Sequence, residues 1–131
     1  TTDIYTLSLH DALPIYSKEL FCPGSTLRVN FDNSHPLAFG MPVNGLVLNT
    51  SSPVFEVEPG RFNEDYQTVV RYEDKDLLKS GWLTGEKKIA GKSGMLTAKY
   101  GDGEVVLIGF RTQHRNQTDG TFKLLFNAII K

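Results

Sequence analysis

The sequence is poor in the residues that form disulfides and metal sites. Its 131 residues include one cysteine, Cys22, and three histidines, His10, His35 and His114. One cysteine excludes an internal disulfide. None of the histidines has the His-x-x-Glu or His-x-His spacing with which zinc sites commonly begin, so we do not expect this chain alone to bind zinc.

A catalytic nucleophile is also hard to place. Cys22 is the nearest approach to a nucleophile elbow, but Pro23 follows it and has no N–H to donate to an oxyanion. Glu56 and Glu58 share one face of a predicted strand and could mimic a carboxylate pair. Carboxylates on a solvated strand face are far commoner. The sequence therefore indicates no catalytic residues, and we expect Cys22 to be a packed or partly exposed side chain.

Neither charge nor hydropathy points to a nucleic acid or a membrane. The chain has 14 basic and 15 acidic residues and a formal net charge of −1. A nearly balanced charge gives no electrostatic reason to expect binding to nucleic acid or to an anionic membrane surface. No apolar run approaches the roughly 20 residues that a membrane-spanning helix requires. We therefore expect no nucleic-acid partner and no membrane span.

The opening segment reads differently from the rest of the chain. Residues 1–15 closely resemble one reading frame of a common sequencing-adapter oligonucleotide, and the base left over fits the codon of Tyr16. The chain begins without Met, and no basic residue precedes an apolar core as in a signal peptide. We expect residues 1–16 to be a non-native leader and residues 17–131 to be one domain, the C-terminal part of a longer protein. The alternative is a genuine amphipathic leader.

The pattern of residues 17–131 is strand-rich and ends in a helix. Alternating apolar and polar residues predict half-buried strands. The predicted strands cover residues 26–31, 46–48, 54–58, 67–72, 96–100 and 104–110, with a short segment at 77–83 and a polar loop at 84–88. Gly101-Asp102-Gly103 favours a tight hairpin between the last two strands.

The C-terminal residues Thr121–Ile130 have the spacing of an amphipathic helix. Its predicted apolar face consists of Phe122, Leu125, Phe126 and Ile129, widened by Leu124 and Ala128. We expect this face to pack against the sheet. A side-chain oxygen of Thr118 or Asp119 can cap the amino end of the helix.

The best candidate site is the polar loop between the last predicted strand and this helix. Arg111, Gln113, His114 and Arg115 lie at the carboxyl end of a predicted buried strand, where open α/β sheets tend to keep their binding crevice. Their guanidinium and amide groups could hold a carboxylate or a phosphate. Alternatively, they bond neighbouring loops or dock the domain onto another part of the protein. For His35, the surrounding prolines and glycine favour a turn-forming role.

Five segments resemble the C-terminal region of bacterial zinc carboxypeptidase-like proteins of the M14 peptidase family. They are Pro23–Val29, His35–Pro42, Asp76–Leu83, Gly109–Gln117 and Gly120–Ala128. The resemblance covers nearly all of residues 17–131, and its most specific part is the block from Gly109 to Ala128. In those proteins this region resembles a class I glutamine amidotransferase-like, flavodoxin-like α/β domain appended to the peptidase.

The resemblance implies an accessory role for the chain. The peptidase's zinc ligands and catalytic Glu have no counterpart here, so the zinc and the activity are expected in an upstream peptidase domain of the same polypeptide, in a secreted or periplasmic parent. The amidotransferase His-x-Glu is met neither at His35 nor at His114. The expectation is a non-catalytic, truncated α/β domain that supports folding, domain docking or substrate presentation. The alternative is a small-molecule module that binds an anion through the Arg111 to Arg115 loop, and an independent hydrolase would need a nucleophile that we cannot place.

Overall fold

A computed structural model describes residues 20–57 and 65–131. The chain is a mixed α/β protein with a curled antiparallel sheet of six strands and a C-terminal helix. The strands are β1 (Ser25–Phe31), β2 (Asn44–Asn49), β3 (Tyr66–Tyr72), β4 (Leu78–Ser80), β5 (Ser93–Tyr100) and β6 (Gly103–Ile108). The helices are a 3-10 turn at Pro36–Ala38, the single turn α1 (Glu86–Ile89) and the long helix α2 (Asp119–Ile130).

The strand order is β2-β1-β3-β5-β6, with the short β4 also pairing with β1. Every described strand pair is antiparallel. β1 shows the predicted alternation, since Leu27, Val29 and Phe31 are buried and the residues between them are partly exposed. The core lies on this inner face of the curled sheet.

The β5–β6 hairpin confirms the predicted tight turn. Tyr100 pairs with Gly103, which leaves Gly101 and Asp102 as the two turn residues. Gly101 has a φ of +57°, a backbone conformation that glycine adopts without steric cost and that hairpin turns of this length require at their first position. This turn fixes the register of the last two strands.

The residues after β6 return the chain to β2. The N–H of Gly109 donates to the carbonyl of Gly94 at 2.7 Å. Two residues later, the N–H of Arg111 donates to the carbonyl of Leu48 at 2.9 Å, and the two residues form an isolated antiparallel bridge. The chain thus spans the gap between the two ends of the curled sheet.

α2 forms where it is predicted, but only part of the predicted apolar face faces the core, since Leu124 is buried and Ala128 packs against the core cluster. Thr121 and Leu124 are its buried residues, whereas Phe126 and Ile129 of the predicted apolar face are 56% and 69% exposed. Polar contacts set the rotation of the helix about its axis. The Thr121 hydroxyl donates to the carbonyl of Thr112 at 2.8 Å, and Asn127 donates to the carbonyls of Leu37 and Phe39 at 2.9 and 3.1 Å.

The predicted helix cap is also wrong in its chemistry. Thr118 occupies the capping position, but its side chain makes no capping hydrogen bond. Its hydroxyl instead donates to the carbonyl of Thr112 at 3.0 Å and accepts the N–H of His114 at 3.1 Å. The side chain is therefore used to shape the preceding loop.

Three further predictions differ from the structure. In residues 54–57, the described part of the predicted strand 54–58, only Phe55 pairs, with Ser93, because β6 ends beside β5 and leaves a short free edge there. The predicted loop 84–88 overlaps α1, whose one buried apolar residue, Ile89, gives no helical periodicity to detect. The last strand is not buried, because β6 lies at an edge of the sheet and all its residues are partly or fully exposed.

Among the described residues, no helix is long and apolar enough to cross a membrane.

Candidate functional site

The four residues of the predicted binding loop differ in their contacts and burial. Arg111 bonds β2 and the residue after it. Its backbone N–H donates to the carbonyl of Leu48, and its Nε donates to the hydroxyl of Thr50 at 2.9 Å. Gln113 and Arg115 are exposed. Arg111 therefore contacts a neighbouring loop, as one of the two interpretations of the sequence expects.

A tight turn determines where His114 and Arg115 lie. Arg115 and Asn116 have φ values of +49° and +57°, an uncommon conformation for residues other than glycine. The turn is closed by a hydrogen bond of 2.9 Å from the N–H of Gln117 to the carbonyl of His114. It leaves His114 partly buried and Arg115 exposed.

A cleft of about 660 Å³ lies between β2 and the amino end of α2. This volume lies within the range of small-molecule and cofactor sites. One wall is the outer edge of β2, residues 45–48; the other is formed by residues 114 and 117–121. The remaining lining residues are Thr26, Phe31, Met41 and Pro42.

The cleft is mainly apolar and carries one carboxylate. Phe31, Met41, Pro42 and Leu46 supply apolar surface, and Asp119 is the only acidic residue among the described lining residues. No Lys or Arg lines the cleft in the described part of the chain. This arrangement favours a ligand with an apolar body and a positive or hydrogen-bond-donating group over an anion.

Of the four residues predicted for the site, only His114 lines this cleft. Sequence reasoning missed Met41, Leu46 and the lining role of Asp119. The alternation in residues 46–48 indicated a half-buried strand, but only the tertiary structure shows that its outer edge faces the start of α2.

A buried polar network lies beneath the strands that carry the cleft. Asn49 is fully buried, and its Nδ2 donates to the hydroxyl of Tyr72 at 3.0 Å. The side-chain carbonyl of Asn49 accepts the N–H of Ser52 at 3.0 Å. Cys22 donates from Sγ to the backbone carbonyl of Asn49 at 3.4 Å. Cys22 is thus packed in the core, where it has no access to a substrate.

Burial raises the pKa of Tyr72 to about 12. The desolvated phenol resists ionisation, so Tyr72 is a neutral structural group at physiological pH.

This shift predicts a loss of stability at alkaline pH. The unfolded chain releases the phenolic proton near pH 10 and the folded chain near pH 12, so the folded state binds more protons between these values. The stabilisation is complete below pH 10 and declines as the pH rises toward 12, by about 2 to 3 kcal/mol. Urea denaturation from neutral to alkaline pH measures it. Tyr72→Phe serves as the reference, and an equal decline in that variant would contradict the prediction.

The other candidates for chemistry have structural roles. His35 accepts the N–H of Leu37 on Nδ1 at 3.2 Å, which confirms its turn-forming role. The exposed Glu56 accepts from Lys92 at 2.8 Å, while Glu58 lies outside the described residues. The described residues contain no group of three or more His, Cys, Asp or Glu that could hold a metal ion.

The exposed apolar residues form a second surface. Phe126, Ile129 and Ile130 lie on the outward side of α2 and are 56%, 69% and 78% exposed. Phe39 is 74% exposed and is held next to the helix by the hydrogen bond from Asn127. We call Phe39, Phe126, Ile129 and Ile130 the outer patch. Clusters of large apolar side chains on a protein surface commonly mark an interaction site.

In comparisons with protein-family models, curated proteins and solved structures, nothing matches this chain.

Proposed function

We propose that the chain is a non-catalytic accessory domain of a zinc carboxypeptidase-like protein of the M14 peptidase family, and that it docks onto the upstream peptidase domain of the same polypeptide. The resemblance of five segments to such proteins motivates the assignment. The observation that carries the docking role is the outer patch, where four large apolar side chains are more than half exposed. In this proposal the zinc belongs to the upstream domain of a secreted or periplasmic parent.

We also propose that the curled sheet and α2 are the C-terminal part of a class I glutamine amidotransferase-like, flavodoxin-like domain. Flavodoxin-like sheets are built mainly from parallel strands, whereas every described strand pair here is antiparallel. The proposal therefore requires the parallel strands to be encoded upstream, with the antiparallel sheet as an appended layer.

Long-read sequencing of the source DNA across the codons of residues 15–17 tests the assignment. We expect the adapter-like residues to disappear and an upstream domain with His-x-x-Glu and a later His to be encoded. A start codon directly before an authentic residue 1 would overturn it.

In the full-length parent, the double variant Phe126→Ser with Ile129→Ser is expected to release the domain. Both side chains are largely exposed within the domain, so its stability should change by less than about 1 kcal/mol, whereas loss of buried interface area should weaken docking at least about tenfold. Hydrogen exchange at α2 and limited proteolysis between the domains measure this. Trp82→Ser, which removes an exposed aromatic residue that packs on Phe21 just after β4, is the matched control. Docking that is equally retained in both variants would contradict the role of the outer patch.

A further inference from the structure

The outer edge of β2 presents backbone hydrogen-bonding groups to the cleft. The carbonyl of Leu48 faces this edge, because it accepts the N–H of Arg111 at 2.9 Å. Alternate residues of an antiparallel strand face the same side, so the N–H and carbonyl of Leu46 face it too. Arg28 lies opposite Leu46 on β1. Its N–H donates to the carbonyl of Leu77 at 2.8 Å and so points away from β2, which is consistent with the outward orientation of Leu46.

The pairing along this edge stops after one bridge. Among the described residues, Arg111 is the one residue that pairs with the outer edge of β2. Beyond it the chain leaves the strand direction, because the hydroxyls of Thr118 and Thr121 both bond the carbonyl of Thr112 and fold the loop toward α2. The cleft occupies the space in which further strand residues would pair with Leu46, and residues 45–48 all line it.

We propose that this cleft binds an extended peptide, which adds to the outer edge of β2 and continues the line of the Arg111 bridge. Main-chain bonds to Leu46 supply affinity, as in other cases of strand addition. An apolar peptide side chain enters the pocket formed by Met41, Pro42 and Leu46. A neighbouring positive charge is attracted to Asp119, since no Lys or Arg is among the described lining residues of the cleft.

The inference is independent of the accessory role. The cleft lies at the amino end of α2, whereas the outer patch lies along its carboxyl half and at Phe39. A peptide could bind in the cleft whether or not the domain docks onto a peptidase. Conversely, failure of the peptide to bind would not affect the docking proposal.

The test uses the full chain and a capped five-residue peptide with a central phenylalanine, a valine on each side and a lysine at each end. NMR titration of the 15N-labelled protein is expected to give saturable shifts at the amides of Leu46 and Leu48. Exchange of the Leu46 N–H with solvent is expected to slow about tenfold or more at saturation, because the peptide carbonyl covers it. The amide of Arg28, already bonded within the sheet, is the internal reference.

A second peptide tests the main-chain bonds. N-methylation of the backbone at the phenylalanine and one valine removes the donors of the added strand, and affinity is expected to fall about tenfold. Equal binding of the two peptides, shifts confined to the outer patch, or no shifts at millimolar peptide would each overturn the proposal.

Charge substitutions test the role of Asp119. Asp119→Asn is expected to weaken the lysine peptide about three- to fivefold and to leave a peptide with serine in place of lysine unaffected. Asp102→Asn in the exposed β5–β6 turn is the matched control and should bind both peptides as the wild type does. An equal effect of the two variants would refute the contact with Asp119.

Discussion

Replacing Gly109 with alanine is expected to lower the free energy of unfolding by about 3 kcal/mol or more. A Cβ at Gly109 would lie 2.0 Å from the carbonyl oxygen of Pro53 and 3.1 Å from that of Gly94. Both neighbours are backbone atoms, so no side-chain rotation relieves the overlap. The methyl group must push residues 53–55 away from β5 or break the bond between Gly109 and Gly94.

Urea denaturation followed by circular dichroism measures this loss, and hydrogen exchange at Phe55 reports whether its bridge to Ser93 opens. Gly120→Ala is the matched control. A Cβ at Gly120, in the first turn of α2, would meet no atom within 4 Å. That variant should be as stable as the wild type or up to about 1 kcal/mol more stable. Equal stability of both variants would show that residues 53–55 yield without cost.

Replacing Asn49 with alanine is expected to cost about 3 kcal/mol. The change removes the partners of the Tyr72 hydroxyl and of the Ser52 N–H. Tyr72 is fully buried, and leaving a buried polar group without a partner lowers the free energy of unfolding by about 1 to 3 kcal/mol. The cavity left by the deleted amide adds to the loss.

Asn30→Ala is the control for this prediction. Asn30 on β1 donates to Asn44 on β2 at 2.7 Å, and this bond lies on the exposed face. Water replaces that bond, so the control should lose less than about 0.5 kcal/mol. Equilibrium denaturation of the two variants under the same conditions shows whether a buried hydrogen bond contributes more stability than an exposed one. Equal decreases in the free energy of unfolding would refute the importance of the buried network.

Much of the local structure could be predicted, because it depends on neighbours in the sequence. The alternation of β1 and the glycine at position 101 specify a strand and a turn wherever they occur. Phe55 shows the limit of this reasoning. Its segment alternates as a strand does, but a strand also needs a free partner edge, and β5 offers Phe55 only Ser93.

The rotation of α2 could not be predicted from hydrophobic periodicity. The face centred on Phe126 has more apolar residues than the face formed by Thr121, Leu124 and Ala128. Periodicity therefore predicts that the face centred on Phe126 is buried. In the structure, hydrogen bonds from Thr121 and Asn127 turn the other face inward. Such bonds join residues far apart in the sequence, so no local pattern encodes them.

The candidate cleft was only partly foreseeable for the same reason. The polar loop predicts His114 as a site residue, and His114 lines the cleft, whereas Arg111 bonds Thr50 and Arg115 is exposed. The opposite wall comes from β2, and four strands, β3 to β6, separate β2 from this loop in the sequence. Residues 45–48 and 114–121 are far apart in the sequence, and the curl of the sheet brings them together. Local sequence patterns do not predict a site of this kind.

The bridge between Leu48 and Arg111 also bears on the order in which the molecule is made. β1 and β2 are synthesised before the other described strands. They can form a hairpin at once, because the loop between them is short. The outer edge of β2 then stays uncovered until β6 and Arg111 have been synthesised. During that interval the nascent chain carries an open strand edge, the kind of surface to which chaperones and other nascent chains attach.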